Sequence, residues 1–338
     1  WLRRGFNDEA LIETVNDAMS DLVNVDRADD SLVARVCIAL DPDAPLRYRE
    51  LRATVGGLGM LIGHYLEDDD MRNLFTQVMR EQLYDFWQKK QARISEVQQK
   101  FVDDYDRSRN NLDRIGLGLG IKRVAYDLNI NLPCRSSVLA NDYVIEAEEL
   151  LPVLEQLATS GVEFSSLVDR NMAAFLASKM ERHVQADLRD LDNKVDPYIP
   201  LIASVKILST LQERVAKADF VDLAGAVATM IEPSVERFHS RTVRKRVRGG
   251  LKKATRTGRL SHLVGTINDP RNVAADAEAF KQASAAYAQT VMEDQWVEYE
   301  KTHREYFARE KGAQMAATVS GVITCIASIL IFVFMMFF

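Results

Sequence analysis

The sequence predicts an all-α protein: an elongated multi-helix bundle with a long C-terminal helix leading into a single transmembrane helix. Three observations predict this class. Alternation of apolar and polar residues, which marks half-buried strands, is absent. Helical spacings of three and four recur along the chain. Residues 315–338 contain no charged side chain. We expect the part outside the membrane to be at least about 60% helical, well above the usual globular share.

The composition is that of a folded protein, with 47% apolar and 27% charged residues. The only cysteines, Cys37, Cys134 and Cys325, are widely spaced and predict neither a disulfide framework nor a zinc site. We therefore expect the part outside the membrane to face a reducing compartment. The chain begins with Trp1, so we expect its start to be processed or truncated.

Breaks in the helical pattern divide the chain into four regions. Residues 1–115 form an N-terminal helical region that ends in one long helix, about 68–115, which lacks proline and glycine. Residues 116–268 form a central helical region, 269–314 a stalk helix and 315–338 a transmembrane anchor. Shorter helices are expected at about residues 8–23, 31–40, 46–66, 137–159 with a break or kink at Pro152, 163–192, 201–216 and 220–231.

The stalk helix has the clearest pattern. Asp269 is a good N-cap and Pro270 suits the first helical position. Residues that are apolar except for the small Ser284 then follow at alternating spacings of four and three from Val273, a heptad-like pattern typical of coiled coils. Only Gly312 and Gly321 weaken the helix beyond Pro270. We expect one rigid helix that runs from the helical body into the bilayer.

The anchor is long enough to cross a membrane. Its 24 residues span about 36 Å as a helix, against about 30 Å of bilayer core. Four basic residues precede it and none follow: Lys301, Arg304, Arg309 and Lys311. The positive-inside rule then places the helical body in the cytoplasm. The sequence thus predicts a tail-anchored, single-pass membrane protein.

Small residues form a row within and just before the anchor. Ala313, Ala317, Gly321 and Cys325 fall four positions apart, so they share one side of a helix. Such rows let membrane helices pack closely. They predict self-association into a homo-oligomer, or pairing with another membrane helix.

The clearest anomaly of composition is the basic segment, Arg237–Arg259. It carries ten positive charges and no acidic residue, whereas the whole chain carries −6, so the remainder carries −16. This asymmetry indicates an anionic partner. The candidate residues that bind the partner are Arg241, Arg244, Lys245, Arg246, Arg248, Lys252, Lys253 and Arg256.

Several identities for this partner stay open. Anionic lipid headgroups attract basic residues, but an upright stalk of about 45 residues would hold the segment about 65 Å from the membrane. An acidic protein surface is a second possibility, including the chain's own residues 67–70. Nucleic acid is less favoured, because Phe238 is the only nearby aromatic residue for base stacking. The segment could also be a solvated basic surface.

Other motifs predict no chemistry. The glycine loop Gly116–Gly120 follows a helix instead of a strand, so we interpret it as a flexible hinge and not a phosphate loop. The apolar glycines between Gly56 and Gly63 indicate a close helix crossing. Two Glu-x-x-His pairs occur, at 236/239 and 300/303, and a helical di-iron site uses two such pairs plus two further carboxylates. These pairs lie beside the basic segment and in the stalk, and chance easily produces them among abundant acidic residues. We therefore expect no catalytic residue, no metal and no cofactor.

The functional prediction is a membrane-anchored scaffold or interaction protein that presents a cytoplasmic helical body to partners. It is not expected to be an enzyme, because no nucleophile elbow, P-loop or metalloprotease motif occurs. The alternative is a membrane-active effector that oligomerises through its anchor and perturbs the bilayer.

Overall fold

The structure is a computed structural model that describes residues 5, 9–20, 28–164 and 166–337. Helices dominate the described chain, which confirms the predicted all-α class and its long apolar C-terminal helix. The chain separates into two compact units, Trp1–Asn272 and Val273–Phe338. The first unit contains the packed core, and the second consists of long helices.

The elements are labelled in chain order. The helices are α1 (Glu9–Ser20), α2 (Ala28–Leu40), α3 (Val55–His64), α4 (Asp69–Arg80), α5 (Leu83–Lys90), α6 (Glu96–Arg109), α7 (Ile121–Leu128), α8 (Ala147–Thr159), α9 (Arg170–Leu191), α10 (Tyr198–Leu211), α11 (Val221–Ile231), α12 (Arg241–Thr255), α13 (Leu260–Ile267), α14 (Pro270–Thr302) and α15 (Arg304–Phe337). Short 3-10 turns cover Ser137–Leu139 and Glu232–Arg237, and a π-helical turn covers Gln212–Ala216. Two strands, β1 (Leu46–Tyr48) and β2 (Leu51–Ala53), pair antiparallel.

The strand pair replaces the first part of the helix predicted over about 46–66. Leu46 and Tyr48 are buried while Arg47 is exposed, and β2 repeats this alternation. A period of two suits a strand and not a helix. Thr54 then caps α3 by accepting a hydrogen bond from the Gly57 amide at 3.1 Å, so only the second part of the prediction was right.

The single long helix predicted over about 68–115 was also wrong, because the chain forms α4, α5 and α6 there. Gln82 adopts a left-handed conformation with φ 52°, which ends the helical path after α4. Ser95 starts α6 through a capping box with Gln98. Each of the three helices buries its own apolar side. The helical spacing of apolar residues in the sequence therefore continues across the breaks, which contain neither proline nor glycine.

The glycines of α3 let α3 approach α6 and α7 closely, as predicted. A Cβ at Gly56 would lie 2.9 Å from the Phe101 ring, and one at Gly59 would lie 3.5 Å from Leu128. The Tyr105 hydroxyl of α6 accepts from the Gly59 amide at 3.2 Å and donates to the Val55 carbonyl. This crossing is therefore fixed by both packing and hydrogen bonds.

The predicted interruption at Pro152 does not occur, since α8 continues through this exposed proline. Its neighbours Leu150, Leu151 and Leu154 are buried, and their packing offsets the one lost hydrogen bond. The irregularity lies in α9 instead, where Met180 has non-helical φ −139° and ψ 26°. The part of α9 before this kink, from Met172 to Ala177, is buried at the centre of the core.

In the second unit, the predicted continuous helix is interrupted at His303. The Lys311 ammonium lies 2.9 Å from a Glu300 carboxylate oxygen, and the rings of Trp296 and Phe307 are 5.7 Å apart. Both pairs are eleven positions apart, which a straight helix would separate by about 16 Å along its axis. The chain therefore bends sharply at His303, with these four side chains on the inside of the bend.

The last helix, α15, is the one described helix that is long and apolar enough to cross a membrane. It has 34 residues, and its apolar side chains are exposed within this structure. A helix that is apolar on all sides and unburied in its own chain is typical of a membrane span. This supports the predicted anchor, whose final residue, 338, lies outside the described part.

Candidate functional site: the basic surface of α12

The basic segment folds mainly into α12, whose start and orientation follow from the sequence. The Ser240 hydroxyl caps the helix by accepting from the Val243 amide at 3.5 Å. Four apolar residues, Val243, Val247, Leu251 and Ala254, recur every three or four positions and are buried. Because they occupy the inner side of the helix, the basic side chains must lie along its outer side.

Two of the candidate residues are paired within the chain. Arg244 lies 2.5 Å from Glu236, and Arg248 lies 2.6 Å from Glu236 and 3.0 Å from Glu232. The hydrogen bond from Arg244 and the charges of both arginines hold the pKa of the Glu236 carboxyl below its usual value. These pairs are partly exposed, so their stabilising effect is small.

Three further basic residues of the segment also have partners nearby. Arg246 donates to the Asn272 side-chain oxygen at 3.3 Å, and Arg259 lies 3.0 Å from Asp219. Arg237 is half-buried and donates to the Ile267 carbonyl, and desolvation lowers the pKa of its guanidinium. Arg246 links α12 to Asn272, whereas Arg237 and Arg259 lie outside α12, and an external partner would have to compete for all three.

Five basic residues of the segment remain, and their side chains are exposed and form no ion pair or hydrogen bond among the described residues: Arg241, Lys245, Lys252, Lys253 and Arg256. Arg241, Lys245 and Lys252 follow spacings of four and seven, which place them in one row. They line an open depression of about 530 Å³ together with Arg244, Arg248 and Gly249. An extra Cβ at Gly249 would meet nothing within 4 Å, so the helix backbone forms the floor of this depression.

The internal acidic partner considered from the sequence is not where it was expected. Asp68 caps α4 through the Met71 amide, Glu67 accepts from Asn171 at 2.9 Å, and Asp69 pairs with Arg72. The acids that do reach α12 are Glu232 and Glu236, which sequence reasoning missed. They lie four positions apart immediately before the basic segment, and this closeness in sequence could have indicated them as its acidic partners.

The two Glu-x-x-His pairs are engaged in other contacts. Glu236 binds the arginines of α12, and Glu300 binds Lys311. No cluster of three or more potential metal-binding side chains occurs among the described residues. Cys134 is a packed core residue, because burial raises the pKa of its thiol to about 12.

The row of small residues predicted for membrane packing, Ala313, Ala317, Gly321 and Cys325, lies on α15 and is exposed. A Cβ at Gly321 or Gly312 would meet nothing within 4 Å in this chain. The row is thus accessible to another helix, and its role in association stays a prediction.

Comparison with known proteins gives no relative from which a function could be transferred. No family model, curated protein or solved structure matches this chain.

Proposed function

We propose that the chain is a membrane-anchored helical interaction protein whose α12 surface binds an acidic segment of a partner protein. The observation that carries the proposal is the row of exposed cations on α12 that the described chain leaves unpaired. The second support is α15, which is long and apolar enough to hold the protein at a membrane.

Several basic residues of α12 remain unpaired after its internal ion pairs have formed. Glu232 and Glu236 offset Arg244 and Arg248, but Arg241, Lys245 and Lys252 still lie four and seven positions apart on one side of a helix. Like charges at such spacing repel one another and destabilise a helix slightly. An acidic ligand would remove that repulsion, and it would also be steered to the surface over about one Debye length, about 8 Å at physiological salt.

The form of the surface favours a protein segment over a bilayer. The depression is a short row along one side of α12, lined by Arg241, Lys245 and Lys252 together with Gly249. The apolar residues of α12 are buried and the helix contains no aromatic residue, so nothing is available for insertion between lipids. An extended acidic segment could follow the row from 241 to 252, which is about 16 Å long.

The test compares two triple variants with the same change in charge. The first replaces Lys245, Lys252 and Lys253 with Gln; the control replaces Lys100, Lys194 and Lys281, which are exposed elsewhere. The full chain in neutral detergent is titrated with a fluorescent oligoglutamate peptide at several salt concentrations. We expect at least about tenfold weaker binding for the first variant, at about 0.5 kcal/mol per lost charge contact, and unchanged binding for the control.

Other outcomes would contradict the proposal. If the first variant loses binding to vesicles containing anionic lipid but not to the peptide, the partner is a membrane surface. If neither ligand binds the wild-type chain, α12 is a solvated surface. The membrane-active effector predicted as an alternative would instead release dye from liposomes on reconstitution, through oligomers that depend on Gly321.

We also propose that the helical body faces the cytoplasm. The support is the set of basic residues that precede the apolar stretch, among them Lys301 and Lys311. Protease treatment of sealed vesicles of known orientation tests this. The body should be digested in vesicles whose cytoplasmic side faces outward and protected in vesicles of the opposite orientation. The opposite result would reverse the proposed topology.

A further inference from the structure

A cavity of about 260 Å³ lies in the first unit, away from α12. Its walls come from the segment 114–119, from Arg123 of α7 and from the part of α9 that includes and follows Ala177. Leu117, Leu119, Ala177 and Leu188 form the apolar portion of the lining. The polar lining consists of Arg114, Arg123, Glu181, Gln185, Arg189 and Asp192.

Arg123 is the unusual member of this lining, because it is 5% exposed. Its Nε donates to Asp127 at 2.6 Å, and its Nη2 lies 3.4 Å from Glu181. Its Nη1 is buried and has no hydrogen-bond partner within the described part of the chain. Buried donors are normally satisfied, so an unpaired guanidinium nitrogen beside a cavity indicates a missing acceptor.

Glu181 holds its two arginines only loosely. It is 3.4 Å from Arg123 and 3.7 Å from Arg114, whereas strong pairs of this kind are about 2.7–2.9 Å long. Its side chain is 40% exposed, so it can turn towards solvent. Glu181 therefore occupies, without tight bonding, the position between two guanidinium groups that an external carboxylate could take.

The glycine loop forms one wall of this cavity, and its role as a hinge stays a prediction. Gly116, Gly118 and Gly120 have positive φ, while the two leucines between them do not. Within the loop, the Leu119 amide donates to the Gly116 carbonyl at 3.3 Å, and the Gly120 amide donates to the Asn111 carbonyl at 2.9 Å. A Cβ at Gly118 would lie 3.0 Å from Leu188 and 3.2 Å from the Ala173 carbonyl, so the loop is packed directly on α9.

We infer that this cavity binds a small organic monocarboxylate with an apolar body. The carboxylate accepts from Arg123 and Arg114, and the body lies against Leu117, Leu119 and Leu188. The lining contains three arginines and two carboxylates, Glu181 and Asp192. Asp127 pairs with Arg123 at 2.6 Å from outside the lining and balances the third arginine, so a monoanion takes the place of Glu181, which can turn towards solvent. A phosphate dianion would be poorly compensated.

The size of the cavity sets the size of the ligand. At about 30 Å³ per water molecule, its volume corresponds to about nine waters, and so to a ligand of about ten non-hydrogen atoms. A benzoate with one small substituent has this size. This inference does not depend on the proposed role of α12.

The experiment uses 4-fluorobenzoate and fluorine NMR with the full chain in neutral detergent. We expect saturable broadening of the ligand signal, which benzoate reverses and inorganic phosphate does not. The neutral analogue 4-fluorobenzamide and detergent alone serve as controls for partition into apolar surfaces and should show no saturable effect.

Variants then test the assigned residues. Arg114→Gln, at a partly exposed position, should weaken binding at least threefold, and Arg123→Lys at least tenfold. Glu181→Gln should strengthen binding at least threefold, which a purely structural role would not produce. Lys194→Gln should leave binding unchanged. The inference is overturned if neither wild type nor Glu181→Gln binds saturably, if the benzamide binds equally, or if Arg114→Gln and Glu181→Gln both leave affinity unaltered.

Discussion

Tyr105 shows how a single residue fixes the contact between two helices of the first unit. Its hydroxyl accepts from the Gly59 amide and donates to the Val55 carbonyl, and both partners belong to the glycine-containing helix α3. The ring is buried, and burial raises the pKa of this phenol to about 12. The hydroxyl therefore stays protonated and available as a donor at any physiological pH.

Replacing Tyr105 with Phe should lower the free energy of unfolding by about 1–3 kcal/mol. The reason is that the change removes a buried hydroxyl that joins the two helices through two hydrogen bonds, each worth about 0.5–1.5 kcal/mol. Guanidinium-induced unfolding of the chain measures the difference. Tyr287→Phe is the matched control, because Tyr287 is 73% exposed, and it should be nearly neutral. Equal stability of the two variants would contradict the assigned hydrogen bonds.

Individual contacts differ in how well the sequence predicts them. The close packing at Gly56 and Gly59 was predictable, because small residues recur within an apolar stretch. The partners of α12 were only partly predictable. Glu232 and Glu236 lie near α12 in sequence, but their position beside its arginines depends on the 3-10 turn that contains them. The contact between Arg123 and Glu181 joins residues 58 positions apart, and no local pattern reports it.

At the scale of elements, adjacent glycines in α12 have opposite surroundings. A Cβ at Gly250 would lie 2.6 Å from the Thr266 methyl group of α13, whereas one at Gly249 would meet nothing within 4 Å. Gly250 thus permits the crossing of α12 with α13, and Gly249 faces the open depression.

Gly249→Ala should stabilise the protein by about 0.5–1 kcal/mol, because alanine restricts the unfolded chain and fits the helix. Gly250→Ala should destabilise it by about 1–3 kcal/mol, because the added methyl group forces Thr266 or the helix to move. Chemical unfolding of both variants checks the pair. If Gly250→Ala stabilised the protein as much as Gly249→Ala, the close crossing of the two helices would be wrong.

The ends of helices were predictable where a periodic apolar pattern met a residue with a strong preference for a helix end. Asp269 and Pro270 marked the start of α14 within a residue, and the predicted end at about residue 231 matched the end of α11. The breaks at Gln82 and His303 were missed, because they depend on tertiary contacts. At His303 the inner side of the bend is filled by Trp296 and Phe307, whose meeting the local sequence does not encode.

At the scale of the whole molecule, the attachment to membranes should depend on the apolar stretch alone. A chain that stops before Met315 should move from the membrane fraction to the soluble fraction and keep its helical circular dichroism. The physical reason is that the core of the first unit is formed entirely within that unit.

Fractionation of cells that express the full and shortened chains makes the comparison, with alkaline carbonate washing to remove peripheral attachment. A shortened chain that still resists this washing would show that a second segment inserts into the bilayer. A shortened chain that loses its helical signal would show that the last helix is needed for folding.

The bend at His303 makes the end of the chain an elbow. If α14 and α15 formed one straight helix, a rotation of α15 about its axis within the bilayer would rotate α14 about the same axis without displacing it. Beyond an elbow the same turn becomes a sweep, because α14 is about 50 Å long and points away from the axis of rotation. A small rotation of α15 against a neighbouring helix would then displace the far end of α14 over a large distance.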